Sequence, residues 1–181
     1  MSSVEYENRV NLVLAALGIS STLIGQKQLP FYAEAQELVV AEIGPNGTEY
    51  LLVPAAAAAW HQLKQAAGSD GITLEIVSAF RDLERQIEII RRKLERGMPI
   101  ETILTLSAPP GYSEHHTGRA IDINTPGCRA TEEEFEDTEA FRWLSAHAGS
   151  FGFTLSYPRG NALGFIYEPW HWCYQPEHGM A

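Results

Sequence analysis

Ser113-Glu114-His115-His116-Thr117-Gly118-Arg119-Ala120-Ile121-Asp122 is the stretch on which the reading of the fold turns. Two histidines precede a glycine, and the apolar run from Arg119 to Ile123 reads as a short strand. Ser107-Ala108-Pro109-Pro110-Gly111, just upstream, is a loop by composition. Before it come a short element at Pro99 to Thr105 and a strongly charged helix over Asp82 to Arg96. In that helix Leu83, Ile87, Ile90 and Leu94 recur at helical spacing. Downstream, Thr131-Glu132-Glu133-Glu134 has the form of a capping box and predicts a helix reaching about Ala148. Strands are expected at Phe153 to Tyr157, Gly164 to Tyr167 and Trp170 to Tyr174.

Further towards the N-terminus, Ile72 to Ala79 alternates like a strand. Pro54 opens an alanine-rich helix to about Ala67, stopped by Gly68 to Gly71, because proline suits a first helical position and alanine propagates helix. Glu37 to Ile43 and Thr48 to Val53 flank Gly44-Pro45-Asn46-Gly47, which predicts a hairpin. Residues 4–19 read as a helix ended by Gly18, with a loop running on to Pro30. Helices and strands interleave without regular βαβ spacing, so the expected class is α+β. We expect one domain over residues 1–181, with a mainly antiparallel sheet flanked by helices and the site in a cleft on that sheet. Residues 1–70 are an N-terminal elaboration, and residues 72–174 the core that carries the motifs.

Composition narrows the function. The 181 residues are 45% hydrophobic and 20% charged, which suits a chain with a real core. Thirteen Lys and Arg against 23 Asp and Glu give a net charge of −10, and the one basic run, Arg91-Arg92-Lys93, lies among glutamates. Such a chain repels phosphate backbones, so nucleic acid is not an expected partner. The longest apolar runs, Leu12 to Ile19 and Val53 to Trp60, are too short to span a bilayer, so no membrane insertion is expected. Glu5 and Glu7 stand where a signal peptide would be positive, and the chain as given reads as cytoplasmic, or as periplasmic if a leader has been trimmed from it. Cys128 and Cys173 are too few for a disulfide framework, and neither has a base at identifiable spacing, so both read as inert.

Three segments can carry chemistry: 113–122, Glu168-Pro169-Trp170-His171, and Ser78-Ala79-Phe80-Arg81-Asp82 running on to Gln86. A histidine, an aspartate seven residues later and a distant histidine make a ligand set suited to Zn²⁺ with one position open. Glu168, three residues before His171, could act as a base beside such a metal. By spacing alone, ordinary core or surface histidines are the commoner reading.

The three motifs in register change that balance. Ser-x-His-x-x-Gly-x-Ala-x-Asp at 113–122, Glu-x-x-His at 168–171 and Ser-Ala-Phe-Arg-Asp with Gln86 resemble the VanY-type D-alanyl-D-alanine carboxypeptidases. These are zinc peptidases of the M15 family, in the superfamily shared with lysostaphin-type enzymes and the hedgehog signalling domain. Pro-Gly-Tyr-Ser at 110–113 and Gly-Phe…Tyr-Pro at 152–158 also fit, so the likeness runs from about residue 72 to 174. It implies Zn²⁺ held by His115, Asp122 and His171, with Glu168 as catalytic base and Arg81 stabilising the oxyanion. Gln86 and Ser113 would hold the substrate's terminal portion. His116 falls on a variable position and is expected at a polar rim or as a donor behind the ligands. Trp170 and Trp172 are expected as core and pocket wall. The chain departs from the family pattern at Cys173 and Ser156, where that pattern has arginine.

The implied activity is a zinc carboxypeptidase that trims a terminal D-alanine from peptidoglycan-derived peptides. It would be a D,D-carboxypeptidase, or an L,D-carboxypeptidase acting on recycled tetrapeptides. The alternatives are a cell-wall endopeptidase of phage-lysin type and a non-catalytic zinc-stabilised binding module. Glu168 precedes a proline, which favours extended backbone, and residues three apart on a strand face opposite ways. Convergence of Glu168 and His171 on one metal therefore requires a bend near Pro169.

Overall fold

The computed structural model describes residues 2–175. Its architecture is a single α+β domain with antiparallel sheets flanked by helices. The elements run α1 (Ser3–Ala16), α2 (Ser21–Lys27), β1 (Val39–Ile43), β2 (Glu49–Leu52), α3 (Pro54–Ser69), β3 (Glu75–Ser78), α4 (Leu83–Glu95), α5 (Ile100–Leu106), β4 (Ala120–Asn124), α6 (Glu139–His147), β5 (Phe153–Leu155) and β6 (His171–Tyr174). β1 and β2 form the expected hairpin, and the main sheet has the order β3-β4-β6-β5, all antiparallel.

The pleat of β4 divides the molecule. Ile121 and Ile123 face a core built with Trp60 and Leu63 of α3, Leu144 of α6, Phe153 of β5 and Trp172 of β6. Asp122, between the two isoleucines, necessarily faces the other way. The small alanines at 56, 57 and 67 share the buried stripe of α3 with Trp60 and Leu63, which lets the helix lie close to the sheet. Leu63→Ala would leave a cavity there, a loss of about 2–5 kcal/mol. A second core joins α1 to α4 and α5 through Tyr6, Val10, Leu14, Leu83, Ile87, Ile90, Ile103 and Leu104.

The N-terminal elaboration braces the motif-bearing core from outside. Tyr32 donates its backbone N–H to Gly111 O, Ala35 to His116 O and Val53 to Gly118 O, at 2.8, 2.8 and 2.9 Å. The Glu34 carboxylate accepts from Leu83 N at the start of α4. The histidine loop is thereby sewn to the chain before α3.

Three segments differ from the sequence reading. Residues 21–27 form a helix and not a loop, because the Ser20 hydroxyl caps it by accepting from Leu23 N. The helix expected from Thr131 begins at Glu139 instead. Thr131 sits at φ +57°, and Glu134 pairs with Arg129 at 2.9 Å instead of reaching back to form the box. Residues 133–137 make a 3-10 turn, and Thr138 caps α6 by accepting from Phe141 N at 3.1 Å. Residues 164–167 form no strand: Phe165 bonds through both backbone groups to the Asn161 side chain, and Ile166 N donates to Thr105 O.

Candidate metal centre

Register builds this site. Asp122 of β4 lies directly opposite His171 of β6, and Ser78 of β3 opposite Asp122 on the other side. Directly paired residues on antiparallel strands share a face with their Cβ atoms roughly 5 Å apart. His115 arrives from a 3-10 turn at Glu114–Thr117, which Gly118 closes at φ +64° before β4 begins. A side chain at Gly118 would meet Leu38 Cδ2 at 2.9 Å, so both the space and the backbone conformation there require glycine.

His115, Asp122 and His171 each offer a ligand atom, and these atoms lie within 4.8 Å of one another. All three residues are buried. His115 Nδ1 donates to Ala79 O at 2.6 Å, so Nε2 carries the lone pair, and it stands 3.3 Å from Asp122 Oδ2. That Nε2 is buried without a hydrogen-bond partner. An orphaned imidazole nitrogen aimed at a carboxylate and a second imidazole is the donor set that a divalent metal fits. Burial pushes the His115 ring down to about 4, with Arg81 adding to the effect, so it is neutral and able to ligate.

His171 is held on both sides. Nδ1 lies 2.9 Å from Asp122 Oδ1 and Nε2 2.9 Å from Glu114 Oε2, while the ring stacks on Tyr157 at 4.7 Å. Burial opposes its charge, but the two carboxylates prevail and push the ring up to about 10. Nδ1 faces the metal-capable group, where a divalent ion would take the place of its proton, and Nε2–H anchors the ring to Glu114. Sequence reasoning missed Glu114. Its one available signal was a carboxylate next to a candidate ligand, and the partner that gives it meaning is 57 residues away.

The bend expected near Pro169 is a β-turn closed by His171 N donating to Glu168 O at 3.1 Å. It brings Glu168 Oε2 to 3.9 Å from His171 Nδ1. Burial pushes the Glu168 carboxyl up to about 7, against the pull of a charged His171. Arg81 lies across the group, its guanidinium 4.0 Å from Asp122 Oδ2 and its Nε buried without a partner. Burial lowers its pKa while Asp122 and Glu168 support its charge.

A cleft of ≈ 280 Å³ opens over these residues, and Gln86 and Ser113 also line it. Gln86 donates to Ala108 O at 2.7 Å, and its Oε1 is left unpartnered. Ser113 is buried at the start of the 3-10 turn. Trp170 lines the cleft and joins the core, whereas Trp172 is core alone. His116 is not at a rim. It is fully buried, with Nδ1 donating to Arg81 O at 2.6 Å and Nε2 accepting from Gly111 N at 3.1 Å. It therefore ties the arginine segment to the histidine loop. Ser156 and Cys173 are not among the cleft's lining residues; both lie against the Glu114 carboxylate. Burial pushes the Cys173 thiol up, and Cys128 is likewise raised, so both favour the protonated thiol.

The site is thus a buried metal-capable triad on an antiparallel sheet, with a carboxylate and a guanidinium over it. A family model described as VanY, D-alanyl-D-alanine carboxypeptidase, matches residues 49–177, and the chain belongs to that family. It is 34% identical over 122 residues to a D-alanyl-D-alanine carboxypeptidase of Enterococcus faecalis, covering 62% of this chain and 44% of that protein. The chain spans about half the length of the curated relatives it matches first. Among solved structures, the LdcB LD-carboxypeptidase superposes with a TM-score of 0.70 at 29% identity, covering 80% of this chain and 71% of that one. A vancomycin-resistance D,D-pentapeptidase VanY in complex with Zn(II) superposes at 0.60 and 29% identity, covering 78% and 85%.

Proposed function

We propose that this protein is a zinc-dependent carboxypeptidase that hydrolyses the peptide bond before a terminal D-alanine of peptidoglycan peptides. The observation that carries the reading is the convergence of His115, Asp122 and His171 within 4.8 Å, with Glu168 presented beside them by the Pro169 turn. The Zn(II)-bound VanY relative supports the choice of metal. His115, Asp122 and His171 would hold the Zn²⁺, which would supply a Lewis acid and lower the pKa of a bound water towards neutrality.

The remaining work falls to the chain. Glu168, brought beside the triad by the Pro169 turn, takes the proton of the attacking water and returns it to the departing amine. Arg81, 4.0 Å from Asp122, places its charge where negative charge develops on the scissile carbonyl oxygen. His116 holds the Arg81 backbone, and Glu114 holds the His171 ring. Gln86 and Ser113 offer polar atoms to the substrate's terminal portion. A D,D-carboxypeptidase acting on pentapeptides is the first reading. The likeness to LdcB supports a second, an L,D-carboxypeptidase acting on tetrapeptides.

The test is mass-spectrometric digestion of a pentapeptide ending in D-Ala-D-Ala and a tetrapeptide ending in one D-Ala, each with zinc and with a chelator. Chelator-sensitive loss of D-Ala from the pentapeptide supports the first reading, and loss from the tetrapeptide the second. Glu168→Gln should keep zinc and lose turnover. If neither peptide is trimmed, the carboxypeptidase reading fails, and an endopeptidase or a zinc-stabilised binding module takes its place.

A further inference from the structure

We propose that Lys93, held by Ser107, is the anion-binding end of this cleft and receives the free C-terminal carboxylate of the substrate, which makes the enzyme an exopeptidase. This rests on the carboxypeptidase reading above. α4 supplies the geometry. Gln86 and Lys93 are seven residues apart, two helical turns, and so lie on one face of the helix. Helical side chains lean towards the N-terminus, which carries the long Lys93 stem back towards Gln86 and into the cleft. Both residues line it.

The ammonium is positioned but unspent. Lys93 Nζ donates to Ser107 Oγ at 2.7 Å, and Ser107 Oγ donates in turn to Leu106 O at 2.8 Å. The serine hydrogen is thus committed, and its lone pair fixes the lysine. An ammonium has three donors, so two remain. Lys93 makes no ion pair among the described residues, unlike Lys64, which is bonded to Glu42 at 2.7 Å. Of the residues lining the cleft, Arg81 and Lys93 are the only lysine or arginine. Arg81 stands over Asp122 at the metal-capable group, where the reacting carbonyl must lie. Lys93 is the remaining cation for a second negative group.

The wall beside it fits a small apolar side chain. Leu106, Ala108, Phe165 and Ile166 line the same cleft. A cation flanked by apolar surface favours a carboxylate on an apolar residue over a continuing chain, whose amide carries no charge. Burial lowers the Lys93 pKa against the pull of the Glu168 carboxylate across the cleft, so the group still gains from an anion arriving at its own end.

The experiment compares the zinc-loaded full chain with Lys93→Met and Lys93→Arg. Substrates are peptides ending in D-Ala as free acids and as carboxamides; kcat and KM are followed by mass spectrometry and binding by calorimetry. Wild type should prefer the acid. Lys93→Met should raise KM for the acid about 30-fold with little change in kcat, the size expected for a lost charge-assisted bond. It should leave the amide unaffected, and Lys93→Arg should recover part of the loss. Hydrolysis that keeps its acid-over-amide preference in Lys93→Met would overturn the proposal and leave the carboxypeptidase reading standing. If wild type cleaves neither form, binding decides. Acid-specific binding that depends on Lys93 retains the anion site while the proposed activity falls. Binding indifferent to the acid overturns both.

Discussion

Removing the Glu114 carboxylate should weaken zinc binding without touching a ligand. Glu114 Oε2 accepts from His171 Nε2 at 2.9 Å; the ring is buried and the carboxylate half-buried. The bond orients the ring so that Nδ1 faces Asp122 and the metal-capable group. A hydrogen bond to a charged partner is worth about 1.5–3 kcal/mol net, against about 0.5–1.5 for a neutral one. Glu114→Gln keeps an acceptor and loses the charge, so it should cost about 1–1.5 kcal/mol, or roughly tenfold in zinc affinity. Glu114→Ala leaves a buried N–H without a partner, at about 1–3 kcal/mol, and frees the ring to rotate. Its zinc affinity should fall by roughly 30- to 100-fold, the upper part of the range for carboxylates behind a metal-bound histidine. Competition against a chromophoric chelator at pH 7.5 reads both variants, with circular dichroism confirming the fold. Zinc affinity within twofold of wild type in Glu114→Ala would refute the claim that this carboxylate orients His171.

Other perturbations separate the parts. Gly118→Ala places a Cβ 2.9 Å from Leu38 Cδ2 at φ +64°, and should cost about 1–3 kcal/mol by urea unfolding. Thr138→Ala removes the oxygen that accepts from Phe141 N and should cost about 1 kcal/mol, whereas Thr131→Ala should change stability by less than about 0.5. Burial holds the His116 ring at about 4, so between pH 6.5 and 4 the unfolded chain takes up a proton there that the folded one refuses. Stability should therefore fall as pH drops through that window, and His116→Asn should flatten part of the slope in unfolding curves at pH 7 and 5. Zinc at a hundred times its dissociation constant should add about 2.7 kcal/mol to stability, and a chelator should remove it; a melting temperature indifferent to both would count against the centre.

The limits of sequence reading follow from which interactions are local. Pro54 with its alanine run, and the helical period from Leu83 to Leu94, predict α3 and α4 because the signals lie within the elements themselves. The capping box at Thr131 failed for a physical reason. A glutamate three residues after a threonine can close the box only if no better partner competes, and Arg129 is that partner. Ser20 succeeded as a cap where composition suggested a loop, since one accepted bond from Leu23 N suffices to start two turns.

The centre itself was legible as a set of residues and illegible as a geometry. The spacing from His115 to Asp122 can be counted, but the pairing of Asp122 with His171 is a matter of strand register, and a slip of one residue would turn Asp122 or His171 into the core. Ile121 and Ile123 prevent the slip, because they occupy the opposite face against Trp60 and Leu63. The apolar pattern around the aspartate therefore holds the metal-capable group in place, and the same packing positions Glu114 and Tyr157 around the ring of His171. Lys93 follows the same logic. Read alone, it belongs to a basic run on a charged helix; only the position of Gln86 two turns earlier, in a stripe that is otherwise leucine and isoleucine, marks the face that looks into the cleft. A polar side chain set in a buried apolar stripe is thus the sequence feature that locates this cleft, and its neighbour at seven residues is the place to look for what the cleft binds.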